Sequence, residues 1–196
     1  MQNSNPNLNK FEEQQSLNDD ESTAIIDNYL EKNFLYNKFR LKYPGKKLIY
    51  NLLYRKSRDS DKAYSFYSKC DKIRGTLILI KIENGLKFVG YRNEIWEGNN
   101  ILKRDNTAFI FSLNNNKGYD IKNDLNAIYC CPSLGLCLCG NNNPTLLIND
   151  DSDATGEICC KALDSNYNGY LYDYELINGK EYFKSVELEV FKVIID

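Results

Sequence analysis

The stretch GTLILIKIENGLKFVGYRN, Gly75 to Asn93, constrains the fold more than any other part of the chain. Two runs rich in aliphatic and aromatic residues flank Asn84-Gly85, a pairing that predicts a tight β-hairpin. Further strand patterns stand on either side. KLIYNLLYR (47–55), TAFIFSL (107–113), NAIYCC (126–131), PTLLIND (144–150) and SVELEVFKVII (185–195) each read as strands. In the last of these, Val186, Leu188 and Val190 share one face, with Glu187 and Glu189 on the other. Many half-apolar strands are buried economically by stacking two sheets. The expectation is an α+β, mostly β domain: a two-sheet antiparallel β-sandwich with peripheral helices.

Two helices are expected. Ile25, Ile26, Tyr29, Leu30 and Phe34 recur at helical spacing, which predicts a helix over about 23–36 with Ser22 or Thr23 as its cap. Pro44-Gly45 then marks a turn. In SDKAYSFYSKC (60–70), Ala63, Phe66, Tyr67 and Cys70 share a face, and Ser60 or Asp61 can cap the start. Residues 1–21 are polar and rich in Asn and Gln. They cannot bury enough surface to offset their ordering entropy and read as a disordered tail, leaving 22–196 as the domain.

Composition narrows function. The net charge is −2 with no Lys/Arg block, so no field recruits nucleic acid or an anionic membrane. TLILIKI (76–82) is among the longest apolar runs, far short of the roughly 20 residues of a membrane-crossing helix, so no membrane insertion is expected. The opening residues carry no apolar, basic-flanked leader, and the seven cysteines are an odd number. The expectation is reduced thiols in the cytoplasm. The chain has no histidine. Ser-His-Asp and Cys-His nucleophile systems are therefore excluded, as is any His-ligated zinc.

LLYRKSRDSDKAYSFYSKCD (52–71), GTLILIK, GYRNEIW, AFIFSL, NAIYC and YFKSVELEVFKV follow one another in an order and spacing that resemble a TLDc domain, from about Phe39 to Val193. STAIIDNYLEKNF resembles the helix that often precedes it. The resemblance implies a two-sheet sandwich with peripheral helices, with no agreed catalytic mechanism and no cofactor. Family members are associated with resistance to oxidative stress, and several bind the vacuolar proton-pumping ATPase. The implied partner is thus a protein, that pump or another large assembly, and the implied activity is non-enzymatic. Candidate positions for partner binding or for a structural corner are Ser57, Arg58, Asp59, Asp71, Gly90, Trp96, Gly135, Gly140 and Glu189. Ser57, Arg58 and Asp59 form the corner that joins a core strand to a helix in the family. The apolar flanks LLY and AYSFY predict that the Arg58–Asp59 pair is deeply buried, as a bidentate clamp.

The chain departs from the family pattern at several points. Tyr67 stands where a His is usual, Gly75 where a Pro is common, and VGYR (89–92) where Gly-Gly-Tyr-Thr is common. A loop usually rich in Phe and Gly reads GLCLCGNNN at 135–143.

Other readings of the residues remain open beside this one. A structural subunit of a larger complex fits the same features, as does a weak redox or hydrolytic enzyme. The cysteines form no C-x-x-C, and adjacent ones in a strand face opposite ways. Packing is therefore favoured over metal or redox chemistry. DSNYNGYLYDYE (164–175) fits a single calcium loop, with Asp164, Asn166, Asn168 and Glu175 as oxygen ligands. Such loops usually come in pairs, and no metal is expected here. NDDSDATGE (149–157) reads as a solvated loop.

Overall fold

The computed structural model describes residues 23–97, 101–121, 127–130, 134–140, 143–149, 158–159 and 182–196. Residues 1–22, which include the polar tail, lie outside these, as does the candidate calcium loop 164–175.

Among the described residues twelve strands form two antiparallel sheets. The first seven are β1 (Leu48–Arg55), β2 (Thr76–Ile82), β3 (Lys87–Arg92), β4 (Ile101–Lys103), β5 (Phe109–Ser112), β6 (Lys117–Asp120) and β7 (Ile128–Cys130). Then come β8 (Leu134–Gly140), β9 (Asn143–Asn149), β10 (Ile158–Cys159), β11 (Tyr182–Phe183) and β12 (Ser185–Ile195). The larger sheet has the order β1-β12-β2-β3-β5-β6, and the second β11-β10-β9-β8-β7-β4. The expected sandwich is observed. The segment 135–143, read as a loop, is not one: β8 takes most of it and pairs with β7 and β9.

The β2–β3 hairpin turns through Glu83-Asn84-Gly85. Gly85 takes φ +82, its N–H donates to the Ile82 carbonyl at 2.9 Å, and the Ile82 N–H donates to the Leu86 carbonyl at 3.0 Å. Side chains of β2 alternate between two separate cores. Ile78, Ile80 and Ile82 meet Ile128, Cys130 and Leu138 between the sheets. Leu77 and Leu79 face the other way, onto a helix. A strand covered on both sides reads as an unbroken apolar run, which explains TLILIKI.

That helix is α1 (Tyr29–Lys42), which buries Leu35 and Phe39 against Val89, Tyr91, Phe109, Phe111 and Phe191. Phe39 sits edge-on to Tyr91 and Phe109, at centroid distances of 4.8 and 5.5 Å. The helix begins six residues later than the spacing predicts. Thr23 Oγ1 does accept from the Ile25 and Ile26 amides, as a cap would, but the chain bends there. The hydroxyl is drawn to Glu189 instead, and Asn28 becomes the N-cap, accepting from Glu31 N at 3.0 Å.

After β1 a one-turn helix, α2 (Lys56–Asp59), leads into α3 (Ala63–Cys70). α3 buries Ala63, Phe66 and Cys70 as expected, and packs against β1 and β8. Its N-cap is Lys62, with no side-chain cap bond, rather than Ser60 or Asp61. Ser60 takes φ +80 to end α2, and its carbonyl accepts from the Tyr54 hydroxyl at 2.7 Å. No described helix is long and apolar enough to cross a membrane.

Candidate functional site

The Ser57-Arg58-Asp59 corner is α2 itself. Asp59 is its hub. Its carboxylate accepts from the Arg55 amide at 2.9 Å, from Arg58 Nε at 3.0 Å and from Arg58 Nη2 at 2.7 Å, and Lys69 stands 3.6 Å away. Burial pulls the Asp59 pKa upward. The Arg58 side chain, the Arg55 amide and the Lys69 charge outweigh it and hold the carboxyl below its ordinary range. Arg58 Nη2 also donates to the Leu53 carbonyl at 3.0 Å. The β1–β12 register slips between Leu52 and Tyr54, so this guanidinium serves a carbonyl at a bulge. The pair is not deeply buried on both sides. The Arg58 side chain is 47% exposed while that of Asp59 is 9% exposed, because α2 lies on the surface with Lys56 and the Asp59 carboxylate turned inward and Arg58 turned out. Ser57 is exposed, and its N–H donates to Glu187 at 3.2 Å.

The deeply buried clamp lies one strand away, on Glu189. This side chain is fully buried. Glu189 Oε1 accepts from Arg55 Nε at 2.7 Å and from the Ala24 N–H at 2.9 Å, and Oε2 from the Thr23 hydroxyl at 2.5 Å. Arg55 Nη2 lies 2.7 Å from Oε1. The polar face expected of β12 is therefore not solvent-facing. Glu189 shares it with Phe191 and Val193, in the core under α1. Arg55 was not marked from the sequence. A Glu in line with Phe191 and Val193 was the signal that a cation had to sit opposite it.

Asp71 and Trp96 meet at the far end of α3. They form a bridge between otherwise separate segments, and the Lys72 N–H donates to the Trp96 carbonyl at 3.0 Å. The Trp96 ring is fully buried, 5.2 Å from Phe66. Above it lies Arg92, its Cζ 3.2 Å from the ring centroid and its Nε donating to Thr76 Oγ1 at 3.2 Å. Arg92 stands where the family commonly has Thr. Burial drags its pKa down to about 9, although the Cys130 and Asp105 charges act to raise it. Strand parity puts Arg92 on the inter-sheet face with Phe88 and Gly90.

At Gly90 the facing sheet comes close to β3. A Cβ there would lie 2.7 Å from Leu138 Cδ1 and 3.5 Å from Ile78 Cδ1. Gly75 takes φ +67, a backbone that proline cannot adopt. Gly135 and Gly140 are strand residues of β8, and Gly140 pairs with Asn143. Tyr67 is half-buried against the inter-sheet core. The structure thus separates the candidates into a surface corner (Ser57, Arg58, Asp59), a buried tether (Glu189), and an inter-sheet group (Asp71, Gly90, Trp96). It does not bring them to one point.

Cys70 and Cys130 are buried free thiols. Burial pushes Cys70 up to about 12 and also raises Cys130, against the pull of the Glu97 amide and the Arg92 charge. Among the described residues no group of three or more Cys, Asp or Glu is placed to hold a metal ion.

A helix-backed antiparallel sandwich pinned by ion pairs, one within a turn (Arg58–Asp59) and one between the first and last strands (Arg55–Glu189), defines a β-rich domain. The TLDc domain profile matches residues 11–194, nearly the whole chain, and the protein belongs to the TLDc family. No curated protein matches it.

Proposed function

We propose that this TLDc domain is non-enzymatic and acts by binding a protein partner, and that the partner is the vacuolar proton-pumping ATPase. The observation that carries the reading is where the reactive groups of the described residues go. The carboxylates of Asp59 and Glu189 are engaged in clamps within the fold, and the thiols of Cys70 and Cys130 are buried and protonated. A buried thiol with a raised pKa is a poor nucleophile and a poor peroxide target. Family membership supplies the class of partner, since family members are associated with oxidative-stress resistance and several bind the pump. Apolar side chains available for contact include Leu41 on α1 and Tyr64 on α3, 84% and 72% exposed. The cytoplasmic face of the pump is the side such a domain would meet.

The test is co-sedimentation of the full chain with membranes that carry the pump and with the same membranes stripped of it. Binding to the first and not the second is expected. Equal sedimentation with both overturns the assignment.

A further inference from the structure

We propose that Arg92 holds a small inorganic anion of the halide class between the two sheets. Arg92 and Trp96 are both fully buried. Apart from the Cys130 thiol, which contacts the guanidinium, neither Arg92 Nη1, Arg92 Nη2 nor Trp96 Nε1 has a hydrogen-bond partner among the described residues. Arg92 stacks on the indole, its Cζ 3.2 Å from the ring centroid, so the unpartnered donors belong to two side chains in direct contact. Buried N–H groups without an acceptor are costly, and a buried cation without a counter-charge more so.

Asp105 and Cys130, whose charges act most on Arg92, do not fill that role. The Asp105 carboxylate is taken up by the amides of Asn93, Glu94 and Thr107 and by the Thr107 hydroxyl, at 2.5–2.9 Å. The Cys130 thiol lies beside the guanidinium but is held protonated by burial, and a neutral thiol is a weak acceptor. A water molecule would satisfy the donors and leave the charge. A monovalent anion satisfies both. A phosphate or other multivalent oxyanion would demand a far larger desolvation beside side chains as buried as Arg92 and Trp96.

Two measurements on the full chain test this. Crystals soaked in sodium bromide should show anomalous scattering in contact with the Arg92 guanidinium. In solution, exchanging sodium gluconate for sodium chloride at constant ionic strength should raise the melting temperature saturably, by about 2–4 °C at a few times the dissociation constant. Arg92→Met should lose that dependence, and in gluconate it should melt no lower than the native protein, because a buried unpaired charge has been replaced by an apolar side chain. Absence of bromide at Arg92, or an equal chloride response in the variant, overturns the proposal. If Arg92→Met does not fold, the bromide position in the native protein decides alone.

Discussion

Arg55 and Glu189 stand opposite each other in register on β1 and β12, with Arg55 Nε and Nη2 both 2.7 Å from Glu189 Oε1. The same carboxylate receives the Thr23 hydroxyl and the Ala24 amide. One side chain therefore ties the segment before α1, the first strand and the last strand together, across 166 residues of sequence. Glu189→Ala removes the acceptor and leaves a partly buried Arg55, which costs about 3–5 kcal/mol. Urea denaturation should register that loss, and the Ala24 amide should lose its protection from hydrogen exchange. A loss below about 1 kcal/mol would place this pair with weak surface ion pairs.

Gly90 tests how closely the sheets meet. The added methyl of Gly90→Ala would press on Leu138 Cδ1 at 2.7 Å. Overpacking of this kind costs about 1–3 kcal/mol. Because the obstacle is the tip of one side chain, Gly90→Ala combined with Leu138→Ala should cost less than the two single changes added together. Strict additivity would show that the two side chains do not meet.

Lys87 gives a pH signature. It is buried at the start of β3, and its Nζ meets Asp27 at 2.7 Å and Glu31 at 2.8 Å. Burial alone would lower its pKa, but the bonds to Asp27 and Glu31 outweigh it and the pKa is raised. A raised folded pKa stabilises fully below the unfolded value, about 10.4, and that stability is lost as pH rises through the folded value. The stability difference between the native protein and Lys87→Met should be flat from neutral pH to about 9 and shrink in strong alkali. A difference that grows with pH in that window contradicts the arrangement.

The thiols should be inert in the folded protein. At pH 8, alkylation followed by mass spectrometry should leave Cys70 and Cys130 unmodified until the chain is unfolded in urea. Rapid native labelling of either would contradict their burial and raised pKa values.

Much of the fold was legible because the strands carry their burial in their pattern. TLILIKI and SVELEVFKVII alternate between two cores, and Gly85 sits where its hairpin needs positive φ. The start of α1 was misread because Thr23 does accept two amide bonds as a cap would. What shifts the start to Asn28 is a tertiary bond to a residue near the other end of the chain. β8 was missed because GLCLCG has two glycines and no strong alternation, so only its pairing with β7 and β9 defines it. Among the candidate residues, the corner was found from its charge density. Its depth was overestimated, since apolar flanks on both sides do not show that α2 stands out from the surface between them. The partners of Arg55 and Arg92 are not legible because a cation at a strand end, in a charge cluster or alone, resembles a solvated residue until the strand opposite is known.

The central claim is that the charged corner supports the fold and that binding resides elsewhere. Asp59→Asn tests it most directly, with melting and pump-membrane binding measured on the same preparation. Loss of charge at a sheltered carboxylate with several donors costs about 1–3 kcal/mol. The account predicts a melting temperature lowered accordingly, and binding at 20 °C, well below the melt by about 20 °C or more for an ordinary domain, equal to that of the native protein. An unchanged melt with lost binding would contradict it and make Ser57, Arg58 and Asp59 the contact surface.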